Sequence, residues 1–213
     1  MKLGSLTALL CVASAVALAA PITVHNTGVG PGDTLVAPGA VTSFWELSVA
    51  PVGASEALGS NPFRFNCCYV ADNLVSAWVS PQASGNASVG GYYTYELEVD
   101  LTGLDPSTAV IAGSFSTDND GSIAINGNVV LTTGFGGFGA MHPFTMSSGF
   151  VAGINKIQAT VNNGGNPTAF RVEFSRADAS ELPVGGEVPE PASLALLGSG
   201  LFAGAAFRFF RRR

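Results

Sequence analysis

Basic residues are scarce in this chain. Lys and Arg together number 9 among 213 residues, and between residues 20 and 187 they are Arg64, Lys156, Arg171 and Arg176 alone. Nucleic acids and other polyphosphates are held by clustered cations, so that class of partner is excluded. Histidine is limited to His25 and His142, and cysteine to Cys11, Cys67 and Cys68. An adjacent cysteine pair with distant histidines supplies too few ligands in the right spacing for zinc. There is no G-x-S-x-G elbow, and neither histidine sits beside a nucleophile motif, so acyl-transfer chemistry has no sequence support. Long Leu, Ala, Glu and Lys segments of helical period are missing from the middle of the chain. Gly, Ser, Thr, Asn and Val take their place, a composition of short strands and many turns.

What is present concentrates at the two ends. Lys2 precedes an apolar stretch from Leu6 to Leu18, and Ala17-Leu18-Ala19 offers small residues for cleavage before Ala20. This is the form of a secretory signal, with an uncleaved anchor as the alternative. Leu10 is too large for Cys11 to be a lipidation cysteine. At the other end, Ala192 to Phe207 carries no charge, and Arg208 to Phe210 extend the run before Arg211, Arg212 and Arg213. The extended run of about 19 residues would make roughly 28 Å of helix, enough for a hydrocarbon core of about 30 Å. Pro191 suits a helix start. Arg208 can snorkel, and the terminal arginines favour a cytoplasmic C-terminus. A buried C-terminal helix is the competing reading, but such a helix would not end in four arginines among phenylalanines.

Val188-Pro189-Glu190-Pro191-Ala192-Ser193, the apolar run and the terminal arginines occur in the order of a known signal. The tail resembles the PEP-CTERM protein-sorting domain of Gram-negative bacteria that make exopolysaccharide. The resemblance implies that Pro189, Glu190 and Pro191 are recognised by a membrane-embedded exosortase-type enzyme, which cleaves near them. It also implies transit across the inner membrane, anchoring by the tail until processing, and delivery to the cell surface or extracellular matrix. Arg208, Arg211, Arg212 and Arg213 would act as the membrane stop. The alternative is that the two prolines merely stiffen a linker.

Between the ends, alternation marks strands. Tyr93, Tyr95, Leu97, Val99 and Leu101 alternate with Thr94, Glu96, Glu98 and Asp100, as a half-buried antiparallel strand requires. Phe44–Val49, Leu74–Ser80 and Ala109–Ser116 read as further strands. Ile123 and Ile125 lead to Asn126-Gly127, a strong hairpin turn, and then to Val129–Leu131. Ile157, Ala159 and Val161 face inward, as do Phe170, Val172 and Phe174. The expected organisation is a signal peptide at 1–19, an all-β antiparallel jelly-roll-like sandwich at 20–175, a linker at 176–187, and the sorting segment with one transmembrane helix at 188–213. Asp118-Asn119-Asp120-Gly121, Asn126-Gly127, Pro143-Phe144 and Gly153-Ile154-Asn155 occur in an order that resembles the galactose-binding-like sandwiches attached to glycosidases and surface proteins. That resemblance implies the fold more than sugar binding, since function lives in sites.

Candidate chemistry is thin. Asp118, Asn119 and Asp120 could donate oxygens to a ligand or a structural calcium; the alternative is an Asx-rich turn. Gly134 to Gly139 matches G-x-G-x-x-G, but Pro143 follows and no acidic residue lies between Asp120 and Glu173, so it reads as a loop between strands. Glu96, Glu98 and Asp100 share a face, which is more often solvated charge than a glycosidase pair. Trp45, Trp78 and Tyr92 are candidate sugar platforms, with burial as the usual outcome. Cys67 and Cys68 read as two buried thiols, with a vicinal disulfide as the alternative. The resulting expectation is an exported, membrane-sorted, non-enzymatic surface or matrix protein that binds polysaccharide and needs no cofactor. A hydrolase of exopolysaccharide and a purely structural adhesion component are the other two readings.

Overall fold

The computed structural model describes residues 19–182. The expected signal peptide up to residue 18, the sorting motif and the transmembrane segment lie outside the described residues. Among the described residues no helix is long and apolar enough to cross a membrane.

Among the described residues eleven strands form two antiparallel sheets. They are β1 (Ala19–Pro21), β2 (Glu46–Val49), β3 (Phe63–Arg64), β4 (Val79–Ser80), β5 (Gly91–Asp100), β6 (Val110–Asp118), β7 (Gly121–Ile125), β8 (Asn128–Thr133), β9 (His142–Met146), β10 (Ile154–Asn163) and β11 (Ala169–Ser180). One sheet has the order β3-β4-β11-β6-β9, with β1 on the far half of β11. The other has the order β2-β5-β10-β7-β8. The sheets pack face to face as a sandwich.

The alternation in β5 places it. Tyr93, Tyr95, Leu97 and Val99 are buried, and their neighbours Glu96 and Glu98 point to the opposite face. On β10, Ile157, Ala159 and Val161 face the same way and pair with Leu97, Tyr95 and Tyr93. From the other sheet Ile111, Phe115, Phe170 and Val172 complete the core. Each Val, Leu, Ile or Phe among them contributes about 1.5–3 kcal/mol by leaving water. Asn126 and Gly127 both have positive φ, which matches the twist of the β7–β8 hairpin. Gly113 is required for another reason: a Cβ there would sit 2.2 Å from the Glu173 carbonyl oxygen on β11.

Two segments depart from expectation. β11 runs to Ser180, past the expected sandwich boundary at 175, because its far half pairs with β1 and β6. Leu74 to Val75 is loop, and the strand there is confined to Val79–Ser80, since Trp78 is drawn into hydrogen bonds with the Val70 carbonyl and Asp72. That loop, residues 65 to 78, is held down by the buried Arg171. Its guanidinium donates to Ser76 Oγ at 2.9 Å, to the Ala71 carbonyl at 2.6 Å and to Glu173 Oε2 at 3.1 Å.

Ile157 is fully buried at the centre of the sandwich. Ile157→Ala should lower stability by about 2–5 kcal/mol, measured by urea unfolding of the 19–182 domain followed by tryptophan fluorescence. A smaller loss would place Ile157 outside the core.

Candidate functional site

The outward residues of β2, β5 and β10 share one surface. Glu46 pairs with Glu96 across β2 and β5, and Lys156 and Gln158 of β10 pair with Glu98 and Glu96. This surface floors an open cleft of about 490 Å³, lined by His25, Phe44, Glu46, Ser48, Leu58, Gly59, Glu96, Glu98 and Lys156, among others.

Its wall is built by an unusual turn. Phe44 has φ +73°, and the Trp45 N–H donates to the Ser43 carbonyl at 2.9 Å, closing a three-residue turn around Phe44. A bulky residue there costs on the order of 1–3 kcal/mol and persists only when its surroundings hold it. They do so through Trp45, which is buried edge-on against Phe170 and donates from Nε1 to the His25 carbonyl at 3.0 Å. The strained turn thus delivers the Phe44 ring onto the His25 imidazole, with centroids 3.6 Å apart and planes 9° from parallel. His25 Nδ1 is fixed in turn by Asp33 Oδ1 at 2.7 Å. Leu58 and Gly59 flank the cleft because Gly59 N–H donates to the Leu47 carbonyl and Leu47 N–H to Ser60.

The acids of the floor are not equivalent. Glu96 accepts from Lys156 Nζ at 2.7 Å and from Gln158 Nε2 at 3.0 Å, so both of its oxygens are engaged. Burial pushes its pKa up, but the bonds from Lys156 and Gln158 outweigh that and hold it below the usual carboxylate range. Lys156 is held above its ordinary range, mainly by its hydrogen bond to Glu96 and then by that carboxylate's charge, with Glu98 and Glu46 adding to it. Glu46 and Glu98 have no side-chain partner among the described residues and remain free acceptors. Three carboxylates against one ammonium make the cleft electronegative.

The expected ligand triplet behaves differently. Asp118 Oδ2 accepts from Tyr69 Oη at 2.6 Å, Asn119 Oδ1 from Gly164 N–H at 2.8 Å, and Asp120 Oδ1 from Asn162 Nδ2 at 2.9 Å. Their oxygens go to three separate partners rather than converging, and each partner is distant in sequence, so these bonds tie the turn to other strands and loops and are not local Asx turns. Burial raises the Asp118 pKa, against the lowering effect of Tyr69. Among the described residues no cluster of three or more His, Cys, Asp or Glu could hold a metal. Trp45 and Trp78 are buried and offer no platform, whereas Tyr92 is exposed. Cys67 and Cys68 are both exposed and free, correcting the expectation of buried thiols. Asp100 turns back onto Thr102 and does not line the cleft. The Gly134–Gly139 loop forms a short 3-10 turn at Gly137–Gly139, with Phe135 exposed and Phe138 packed on Tyr69.

Sequence reasoning found the Glu96–Glu98 face but missed His25, Phe44 and Glu46. Glu46 was readable as a strand residue beside Trp45; nothing local signals that His25, nineteen positions before Phe44, meets it. Proteins outside this chain add one result. Residues 187–213 match the PEP-CTERM protein-sorting motif, and the chain therefore carries a signal for export and processing by a sorting system. No curated protein and no solved structure matches the chain. Pro189, Glu190, Pro191 and Arg208 to Arg213 lie outside the described residues.

The Glu96–Lys156 contact makes stability depend on pH at both ends. Glu96 has a lowered folded pKa, so its contribution is present above the ordinary value of 4.5 and is lost as pH falls through the folded value. Lys156 has a raised one, so its contribution is complete below 10.5 and fades as pH rises through the folded value. Glu96→Gln should therefore lower Tm most between about pH 5 and pH 9, with the gap from wild type closing toward pH 3. A gap independent of pH, in thermal melts at fixed ionic strength, would refute the assignment.

Proposed function

We propose that residues 20–182 form a non-enzymatic polysaccharide-binding module of the cell surface or extracellular matrix, placed there through the C-terminal signal. In this reading the apolar run from Ala192 holds the chain in the inner membrane and Arg208, Arg211, Arg212 and Arg213 stop its transfer. An exosortase-type enzyme then recognises Pro189-Glu190-Pro191. The sandwich is read as a jelly roll of the galactose-binding-like kind.

One observation carries the binding assignment: a strained turn holds the Phe44–His25 stack beside the unpaired carboxylates of Glu46 and Glu98. Sugar rings are recognised by an apolar aromatic surface for their C–H faces and by fixed acceptors for their hydroxyls. The electronegative floor favours a neutral or amino-bearing sugar and disfavours uronate polymers. Hydrolysis is less well supported. A glycosidase needs one carboxyl held protonated as general acid opposite a second that stays ionised. In the cleft Glu96 is instead held ionised by Lys156, and the carboxyl with a raised pKa, Asp118, lies elsewhere.

Two measurements test the proposal. On a glycan array, Phe44→Gly should weaken retention at least about tenfold, roughly 1.4 kcal/mol, while Tm holds because glycine relieves the positive φ as the stacking is lost. Retention equal to wild type, or an array blank with the intact protein, would favour the structural reading. For sorting, replacing Pro189-Glu190-Pro191 by alanines should leave full-length precursor in the membrane fraction on an immunoblot. Normal processing of that variant would remove the sorting assignment.

A further inference from the structure

The exposed pair Cys67–Cys68 has no part in the cleft or the sorting signal. The two Sγ atoms face one another at 2.6 Å, nearer than two separate thiols rest and approaching the reach of a covalent bond. They are the cysteines found among the described residues, so neither has an alternative partner there. Cys67 also opens onto a second hollow of about 230 Å³, lined by Arg64, Asn66, Asp72 and Trp78 among others, which gives an incoming molecule room to approach the sulfur. The loop is fixed on both sides. Arg64 donates to Asp72 at 3.2 Å and to the Val36 carbonyl at 2.6 Å, and Tyr69 donates to Asp118 while its ring packs on Trp78 with centroids 4.5 Å apart. The two thiols are therefore presented together from an anchored segment.

We propose that Cys67 and Cys68 form a thiol–disulfide exchange site that closes to a vicinal disulfide on meeting an organic disulfide and reopens with a thiol reductant. In the closing direction, one cysteine thiolate attacks a sulfur of the disulfide donor. A protein–donor mixed disulfide forms, the donor's S–S bond breaks, and one donor thiolate departs. The neighbouring cysteine thiolate then attacks the protein sulfur of that mixed disulfide and expels the second donor thiolate. The pair loses two electrons, the donor disulfide gains them, and the two thiol protons pass through solvent to the leaving thiolates. Reopening is the reverse. The covalent geometry decides what kind of disulfide this is. Neighbouring Cα atoms are about 3.8 Å apart across a trans peptide, whereas ordinary disulfides span about 4.4–6.8 Å. An exposed, cramped ring is easily reduced, so the pair is an exchangeable site rather than a structural staple.

The test uses the full chain, recovered with detergent, and oxidised glutathione as the probe. After exposure and acid quenching, free thiols are alkylated and the peptide bearing residues 67 and 68 is weighed, which keeps Cys11 out of the reading. The expected result is a peptide lighter by two hydrogens that takes no alkyl group, and that takes two after reduction. Cys68→Ser should stop at a glutathione adduct on Cys67, the trapped first step. Alkylation of both cysteines after excess oxidised glutathione would overturn the proposal. So would lasting glutathione adducts on the wild-type pair, or disulfide-linked dimers through it. The result is independent of glycan binding, since neither cysteine lines the Phe44 cleft.

Discussion

The register between β5 and β10 is the constraint on which the rest depends. Side chains alternate with a period of two, so a slip of one residue would turn Tyr93, Tyr95, Leu97 and Val99 to water and drive Glu96 and Glu98 into the core. The apolar loss alone would be several times about 1.5–3 kcal/mol, before any charge was buried. The same register that fills the core therefore also delivers Glu96, Glu98, Lys156 and Gln158 to one outer surface, opposite Glu46. Core and cleft are two faces of one pairing decision.

With so few cations available, each is used for a definite purpose. Arg171 is the most buried, and it would be a liability without partners, since an uncompensated buried charge costs several kcal/mol. Its donors are instead spread over Ser76, the Ala71 carbonyl and Glu173, and Glu173 in turn accepts from Asn73 and Ser76. This network fastens the 65–78 loop to the outer face of β11, and with it Tyr69 and the cysteine pair. Arg64 secures the start of the same loop through Asp72. Lys156 does the equivalent for the cleft floor by engaging Glu96 and leaving Glu46 and Glu98 as the free acceptors. The charges order loops and surfaces; the apolar alternation orders the sheets.

The legible part of the sequence was the part governed by local period. β5, β10 and the inward face of β11 were readable because tyrosine, isoleucine and phenylalanine recur at every second position. The β7–β8 hairpin was readable because Asn126-Gly127 suits the turn it makes. β9 escaped because His142-Pro143-Phe144-Thr145-Met146 has a proline in its midst, which is tolerated at this sheet edge beside β6. The end of β11 was misplaced because Arg176 and Asp178 look like linker residues, yet pair with each other and with strand neighbours on both sides. The cleft was half legible for the same reason. Glu96 and Glu98 follow from alternation, but Phe44 adopts a positive φ that no local rule assigns to phenylalanine. The distant anchors of Trp45, the bond from Ser43 N–H to the Val29 carbonyl and packing against the core hold it there. Likewise Asp118 to Asp120 stand side by side in the sequence, and only the fold shows that Tyr69, Gly164 and Asn162 each engage one oxygen of these three.

A sorting signal and a binding surface answer different questions, and here they rest on different physics. The tail acts through its own composition: a short proline-bounded motif, an uncharged run and a basic end, matched across residues 187–213. It carries no information about the domain in front of it, and any exported fold could precede it. The domain's own contribution must be argued from where it stores strain. A sandwich built only to space one surface from another has no need of a positive-φ phenylalanine, whose cost of about 1–3 kcal/mol is a sizeable share of the stability of one domain. That cost is incurred at the edge of the cleft floored by β2, β5 and β10, next to carboxylates without a side-chain partner, while elsewhere carboxylates such as Glu173, Asp178 and Asp72 are tied down. Phe44 packs against the core from this turn, and the exposed carboxylates of Glu46 and Glu98 beside it are committed to no other side chain, so strain and uncommitted acceptors meet in one place, where the proposed ligand would use both.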